Sequence, residues 1–421
     1  MKVNNYNSVD IRIAITILLA AFLNFKNPAV GALLAFFLEL CVINIIYSTY
    51  SLHGKPKVKI YRKNEIFTIL IFIICITAST ILLVIDSNNQ EQTTFGLIRY
   101  TQIITHVIFI FILSVYFYYN SQNNKLFKPI PASILIAAII CLLDYLYNPN
   151  TIMSNDGFKL LVSYNIRQIG YIVMLGCLFC TTKLILLENN RNLAIIYSLL
   201  FVVNCSFLFW LGGRGAIIAL LISITLSILV VKNEFITKLK TLLLSATLMV
   251  FSYFISIPFS VFSWNGANRF FILSQNLDEP LRKMSNGRFE LWQESISLIL
   301  QKPLFGYGPE AHAFETKIGF LQPHNSLLQS LLEFGFIGTI PFLIMIFYIV
   351  KNATLNVLAR PTVNNLFCFG LINAILIHSL YSGPLYHATS MILVCIASAY
   401  VISVTLKRFH GNHINKERLS A

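Results

Sequence analysis

The sequence predicts an all-α, polytopic integral membrane protein with about twelve transmembrane helices and one long extramembrane loop. Three observations predict it. Of 421 residues, 56% are hydrophobic and 11% charged, with a mean hydropathy of +0.71, a balance that no soluble domain carries. Apolar runs of about 18 residues or more recur along the chain, each long enough to cross a bilayer as a helix. These runs are continuous and not alternating, which excludes a β-barrel. Much of the net charge of +14 sits in loops where membrane orientation favours basic residues, so it does not mark a nucleic-acid surface.

Each span follows from length and flanking charge. The first two are expected at 11–25 and 28–50. No small-x-small cleavage site precedes Lys26, so the first reads as a retained helix rather than a signal peptide. A basic loop (Lys55, Lys57, Lys59, Arg62, Lys63) leads to the third at 65–85. A run from Asp86 to Glu91 without a basic residue precedes the fourth at 100–119, and Lys125 and Lys128 precede the fifth at 129–147. The sixth is expected at 169–187, after a polar loop ending at Arg167, and the seventh at 194–211. The tight turn Gly212-Gly213-Arg214-Gly215 hands over to the eighth at 216–231, and the ninth at 241–262 runs into the long loop, 263–326. Spans at 327–350, 365–382 and 388–406 complete a chain that reads as a single membrane domain, 1–421, with 263–326 as a loop within it.

Basic loops alternate with loops poorer in charge. Placing 55–63 inside puts both termini inside and puts the 212–215 turn and the long loop together on the outer face. Trp210, Trp264 and Trp292 then fall at the outer boundary or just beyond it, as an interfacial belt would. All eight cysteines lie in apolar runs, so no disulfide framework is expected. Cys177-Leu178-Phe179-Cys180 spells CxxC without a second ligand pair and reads as buried packing.

The residues able to carry chemistry gather on that outer face. Arg214 sits between Gly213 and Gly215 at the tip of a helical hairpin, and an arginine at membrane depth needs a partner or a task. Beside it the next helix offers free N–H groups, which together with a guanidinium make a phosphate site. The alternative is an arginine snorkelling to lipid headgroups. The long loop also carries Arg269, Arg282 and Lys283. Arg288 opens an amphipathic helix in which Phe289, Trp292, Ile296 and Ile299 recur at helical spacing; its alternative is a solvated rim charge. His324 precedes Asn325-Ser326, which can cap the next helix. An imidazole there can take a proton from a hydroxyl near neutral pH, and its alternative is a capping histidine with no chemistry.

Glu333 lies roughly 13 Å further into that helix, where an ionisable group needs a partner that Arg214 or Arg288 could supply. Glu39 and Asp144 also fall in or near apolar runs. His312, His378 and His387 fall toward the same face, but without carboxylates at ligand spacing no metal is expected. Arginines at a membrane surface beside a histidine suit a lipid-linked pyrophosphate. The guanidiniums would stabilise the leaving pyrophosphate and the histidine would activate an acceptor hydroxyl. No nucleotide is needed, and no Walker-type loop is present.

Gly213-Arg214-Gly215-Ala216 resembles the (S/G)RG(A/S) turn of the O-antigen ligase and O-antigen polymerase superfamily. Gly287-Arg288-Phe289-Glu290-Leu291-Trp292, with Lys302-Pro303-Leu304-Phe305-Gly306-Tyr307-Gly308, resembles its GR…W…P-hydrophobic-GxG stretch. Pro323-His324-Asn325-Ser326 followed by Leu332-Glu333-Phe334-Gly335 and Gly338 resembles its HN…L…E…G…G signature. The three pieces stand in the family's order. The resemblance implies metal-independent, inverting transfer of a glycan from undecaprenyl pyrophosphate, without a cofactor, at the periplasmic face of the bacterial inner membrane, and it makes 263–326 a periplasmic loop. It implies that Arg214 and Arg288 bind the pyrophosphate and that His324 is the base or orients the acceptor. Glu333, Asn325, Gly213, Gly215 and Trp292 would support them. A ligase would take a sugar of lipid A-core as acceptor; a polymerase would take another lipid-linked repeat unit. Chain length, the long loop before His324 and the match through Gly306-Tyr307-Gly308-Pro309 favour the ligase. A third reading is a lipid-glycan flippase, but charges that line a path through the membrane centre would mark one, and here they gather at one face.

Overall fold

The computed structural model is all-helical, and it describes every residue except 1–5, 20–21, 23–27, 54–62, 121–125, 149–159, 164, 188–189, 261–265, 269–286, 318–321 and 421. The chain forms α1 (Tyr6–Leu19), α2 (Pro28–His53), α3 (Lys63–Asp86), α4 (Gln90–Asn120), α5 (Pro129–Tyr147), α6 (Ile166–Ile185) and α7 (Arg191–Trp210). It continues with α8 (Arg214–Val230), α9 (Phe235–Ser256), α10 (Arg288–Gln301), α11 (Ala311–Glu315), α12 (Ser326–Ala359), α13 (Val363–Ser379) and α14 (Ala388–Ser420). Among the described residues only an isolated bridge, Leu160 to Ser163, is extended pairing, and no strand forms.

Nine of these helices, among the described residues, are long and apolar enough to cross a membrane. The predicted twelve spans all fall on helices, but α8 and α13 have 17 residues each and α1 has 14. Seventeen residues make roughly 26 Å of helix, a little short of a hydrocarbon core of about 30 Å. The largest boundary differences are α14, which runs to Ser420 and not to 406, and α4, which begins at Gln90 and not at 100. Its first turns are too polar to register as a span. They are helical because they pack on the loop side, where Gln92 Nε2 donates to Glu315 Oε1 at 2.8 Å.

Short connections make successive spans antiparallel, so the loops after α3, α5, α7, α9 and α13 all lie at one end of the bundle. Contacts tie them together: Lys302 Nζ meets Asp86 Oδ2 at 3.2 Å, and Trp210 Nε1 donates to the Phe259 carbonyl at 2.7 Å. Helix α6 is the central post, buried on nearly every face between α5, α7, α8 and α13. Phe127 and Phe179 each pack against Phe367 inside the core, one tilted and one edge-on, with ring centroids 4.9 and 5.3 Å apart. Large apolar side chains such as Ile85, Phe251 and Phe347 face outward, which is stable only against lipid.

Helix α12 is broken on purpose. Gly335 has φ 60° and ψ −168°, which interrupts the helical hydrogen bonds. The freed groups are taken up by the 303–308 turn. Tyr307 and Gly308 N–H donate to the Leu332 and Glu333 carbonyls at 2.9 Å each, and Phe336 and Ile337 N–H donate to Pro303 and Leu304 at 2.8 and 3.1 Å. The Ser79 hydroxyl lies 2.7 Å from both the Phe305 and Glu333 carbonyls and serves one or the other. A broken helix at membrane depth is tolerated when its backbone groups are re-satisfied in this way. A Cβ on Gly335 would sit 2.2 Å from the Leu304 oxygen, and one on Gly306 would sit 2.5 Å from the Leu332 oxygen.

Candidate functional site

At the loop end, four elements converge. Asn165 caps α6 by accepting from the Arg167 N–H, which fixes Arg167 in the first turn. The α7–α8 hairpin turns at Gly212, whose φ is +64°, and Arg214 is the first residue of α8. Gly287, at φ +75°, starts α10, and Arg288 follows it. The 322–325 segment carries His324 onto the N-terminus of α12. The guanidiniums of Arg167, Arg214 and Arg288 lie within electrostatic reach of one another. Burial lowers the Arg288 pKa, and Arg167 and Arg214 lower it further, while Tyr171 and Tyr381 oppose this.

His324 joins the same group. Its pKa is lowered to about 4, first by burial and then by Arg167, Arg288 and His312. The imidazole is therefore neutral at pH 7 and can accept a proton. His324 has φ +54°, and among the described residues only Glu310, at +65°, is another non-glycine with positive φ. Such strain persists only where neighbours impose it. Here they do. Trp292 Nε1 donates to the Pro323 carbonyl at 2.9 Å. Asn325 accepts from the Leu327 and Leu328 N–H groups as the cap of α12, and its Nδ2 donates to the Leu380 carbonyl at 3.1 Å. Two of the five residues expected to support the site, Trp292 and Asn325, thus fix the backbone on either side of His324.

The expected glycines divide. Gly215 is sterically required, because a Cβ there would lie 2.6 Å from Tyr381 and 2.9 Å from His378 Nε2. The Tyr381 hydroxyl donates to the Gly215 carbonyl at 2.9 Å, locking the hairpin to the end of α13. Gly213 is not required in that sense: its backbone is ordinary, and the nearest atom to a Cβ is 3.7 Å away. The left-handed turn belongs to Gly212, which the pattern did not single out.

Glu333 does not have the partner expected for it. Its Oε1 accepts from Gln329 Nε2 at 3.0 Å and from the Glu310 N–H at 3.3 Å, rather than pairing with Arg214 or Arg288. Next to it Glu310 is 3.8 Å from Arg99 Nε and accepts a hydrogen bond from the Tyr386 hydroxyl, and Arg99 lies 4.6 Å from the Tyr386 ring centre. Burial raises the Glu310 pKa, against lowering by Arg99 and Tyr386. This second polar group heads an apolar cavity of about 690 Å³, walled by residues such as Phe72, Ile103, Val107, Phe334 and Phe342.

Arg167, Tyr381, Arg99, Glu310 and Tyr386 were missed by sequence reading. Only Arg167 left a signal, as the basic residue two after a capping Asn at the mouth of an apolar run. Of the remaining expectations, Trp264, Arg269, Arg282 and Lys283 lie outside the described residues. His312 is buried on α11. His378 packs edge-on against Tyr171, 4.9 Å between ring centres. Glu39 has a structural partner, His106 Nδ1, at 2.8 and 2.9 Å. Together with Cys395 that pair forms the group of ligand-type side chains that the described residues bring within 4.8 Å, buried among α2, α4 and α14. Asp144 accepts from Asn148 Nδ2 at 3.1 Å at an exposed helix end.

Residues 199–343 match the family described as O-antigen ligase. The matched stretch contains Arg214, Arg288, His324 and the α12 break. Members of that family are membrane enzymes of the glycosyltransferase kind. The chain is also 28% identical over 160 residues to a protein of Haemophilus influenzae described as uncharacterised, an alignment covering 34% of this chain and 40% of that relative.

Proposed function

We infer, from a chain that carries the O-antigen ligase superfamily's domain at residues 199–343, that this protein transfers a glycan from undecaprenyl pyrophosphate to a sugar hydroxyl of lipid A-core. The transfer takes place at the periplasmic face of the bacterial inner membrane. The observation that carries this reading is the meeting of Arg214 and Arg288 with a neutral His324 at one end of a membrane bundle. Arg214 and Arg288, with Arg167 beside them, hold the pyrophosphate. His324 takes the proton of the acceptor hydroxyl. The acceptor oxygen attacks the anomeric carbon from the face opposite the pyrophosphate, the bond from that carbon to the phosphate oxygen breaks, and its electron pair stays on the pyrophosphate. The stereocentre inverts and the proton remains on His324. The guanidiniums oppose the charge that grows on the leaving group, so they act most strongly in the transition state. The apolar cavity beside the site offers the isoprenoid chain of the donor a place among the helices.

The same chemistry serves a polymerase, whose acceptor is a second lipid-linked repeat unit, and the matched family supports both. A flippase is less well supported, because the cationic groups meet at one end and do not line a central path. The test is transfer by purified protein from an undecaprenyl-pyrophosphate glycan to lipid A-core. Wild type is expected to transfer, and His324→Ala is expected to lose transfer by at least about a thousandfold while remaining folded in detergent. Retained turnover in His324→Ala would remove that residue from the mechanism. Transfer only to lipid-linked repeat units would favour the polymerase.

A further inference from the structure

The structure assigns His387 as a positioning residue, the middle of a half-buried Gln168–His387–Gln322 bridge that holds the 322–325 segment, and with it His324, against the first turn of α6. This assignment rests on the reading of His324 given above. His387 Nδ1 lies 3.1 Å from Gln168 Nε2, and its Nε2 lies 3.0 Å from Gln322 Nε2. Gln168 follows Arg167 directly, and Gln322 stands two residues before His324. The bridge therefore joins the guanidinium side of the site to the histidine side.

The hydrogen-bond arithmetic constrains how the amides are turned. A neutral imidazole has one N–H and one lone pair, so it cannot accept from two amide N–H groups at once. Both glutamine Oε1 atoms are buried and have no hydrogen-bond partner among the described residues. Turning one amide about its last bond removes the double acceptance. One glutamine then donates to the ring and the other accepts from it, which satisfies one of the two orphaned oxygens. With a neutral ring the bridge therefore holds one glutamine as donor and the other as acceptor. The surroundings enforce that state. Tyr171 stacks on the ring at 5.9 Å and Tyr386 meets it edge-on at 5.6 Å. The pKa of His387 is lowered to about 3, chiefly by burial and then by the nearby His324 and Arg99. Packing admits little slack at Gln322, since a Cβ on Gly383 would fall 1.5 Å from its Oε1.

A positioning role separates from a proton-transfer role by substitution. His387→Gln keeps a neutral donor and acceptor, whereas His387→Ala removes the bridge. We expect His387→Ala to lower kcat about 30-fold with donor KM within about threefold, and His387→Gln to recover to within about fivefold of wild type. The acidic limb of the pH–rate profile should stay in place in His387→Gln. Amide hydrogen exchange at residues 322–328, which needs no turnover, should quicken at least tenfold in His387→Ala only. Unchanged exchange there overturns the assignment, even in a protein with no measurable transfer. Loss of both activity and the acidic limb in His387→Gln overturns it too, because the ring would then be handling the proton itself. A wild type that fails to transfer while exchange responds as expected would sink the functional reading and leave the bridge standing.

Discussion

His324 combines a left-handed backbone, a half-buried ring and a neighbourhood of guanidiniums, and its pH behaviour follows from these. Its folded pKa of about 4 lies below the ordinary value of 6.5. Between those values the unfolded chain binds a proton that the folded chain does not. Stability is therefore full above about pH 6.5, falls as pH drops toward 4, and loses nothing more from this group below that. Activity should follow the folded value. The free-enzyme kcat/KM profile is expected to hold from pH 7 down to about 5 and to fall near 4. A limb at 6.5 instead would mean that the arginines and burial do not act on this ring. Trp292→Phe keeps the packing but removes the N–H bonded to Pro323. A melting shift worth about 1 kcal/mol and roughly a tenfold loss of kcat are expected, read by thermal unfolding and transfer assay. Arg214→Lys should lose transfer although the charge remains, because an ammonium cannot offer the planar fork that binds phosphate oxygens in pairs. Full activity in that variant would reduce Arg214 to charge placement.

At the scale of elements, the break in α12 explains why glycines recur in two stretches far apart in sequence. Gly306 and Gly335 meet at the clasp, and each leaves space that a neighbouring carbonyl fills. Gly335→Ala must place a Cβ at φ +60° against the Leu304 oxygen. The expected cost exceeds about 3 kcal/mol, seen as loss of folded protein in size-exclusion profiles. Gly213→Ala provides the contrast, since its φ of −78° suits any residue, and its melting point should stay within about 1 kcal/mol of wild type. Comparable losses in both variants would mean that the clasp is not what holds α12. The clasp also sets the site, because it fixes the carbonyl of Glu333 about two turns below the Asn325 cap and holds α10, through the turn that follows it, against α12.

For the whole molecule, alternation of the spans puts every site-bearing loop at one end. That end is proposed to face the periplasm, which labelling can test. Asn88→Cys, between α3 and α4 at the site end, should react with an impermeant maleimide added to intact spheroplasts, and Asn233→Cys, at the opposite end, should react only after permeabilisation. The reverse pattern would turn the protein over and remove the periplasmic reading. By itself the sequence determined the helical membrane class, the position of nearly every span, the turn at Arg214 and the cap at Asn325. These are local properties, written in the hydropathy and chemistry of neighbouring residues, and they survive without knowledge of what lies across the bundle. The tertiary structure alone decided which charges meet. Glu333 turned from Arg214 and Arg288 to Gln329 and Glu310, Arg167 joined the arginines, and His387 was caught between two glutamines. Apart from Gln329, which stands one turn before Glu333 in the same helix, these partners come from segments separated by a loop or by the width of the fold, and the energy that selects them comes from packing and burial, to which sequence spacing is blind.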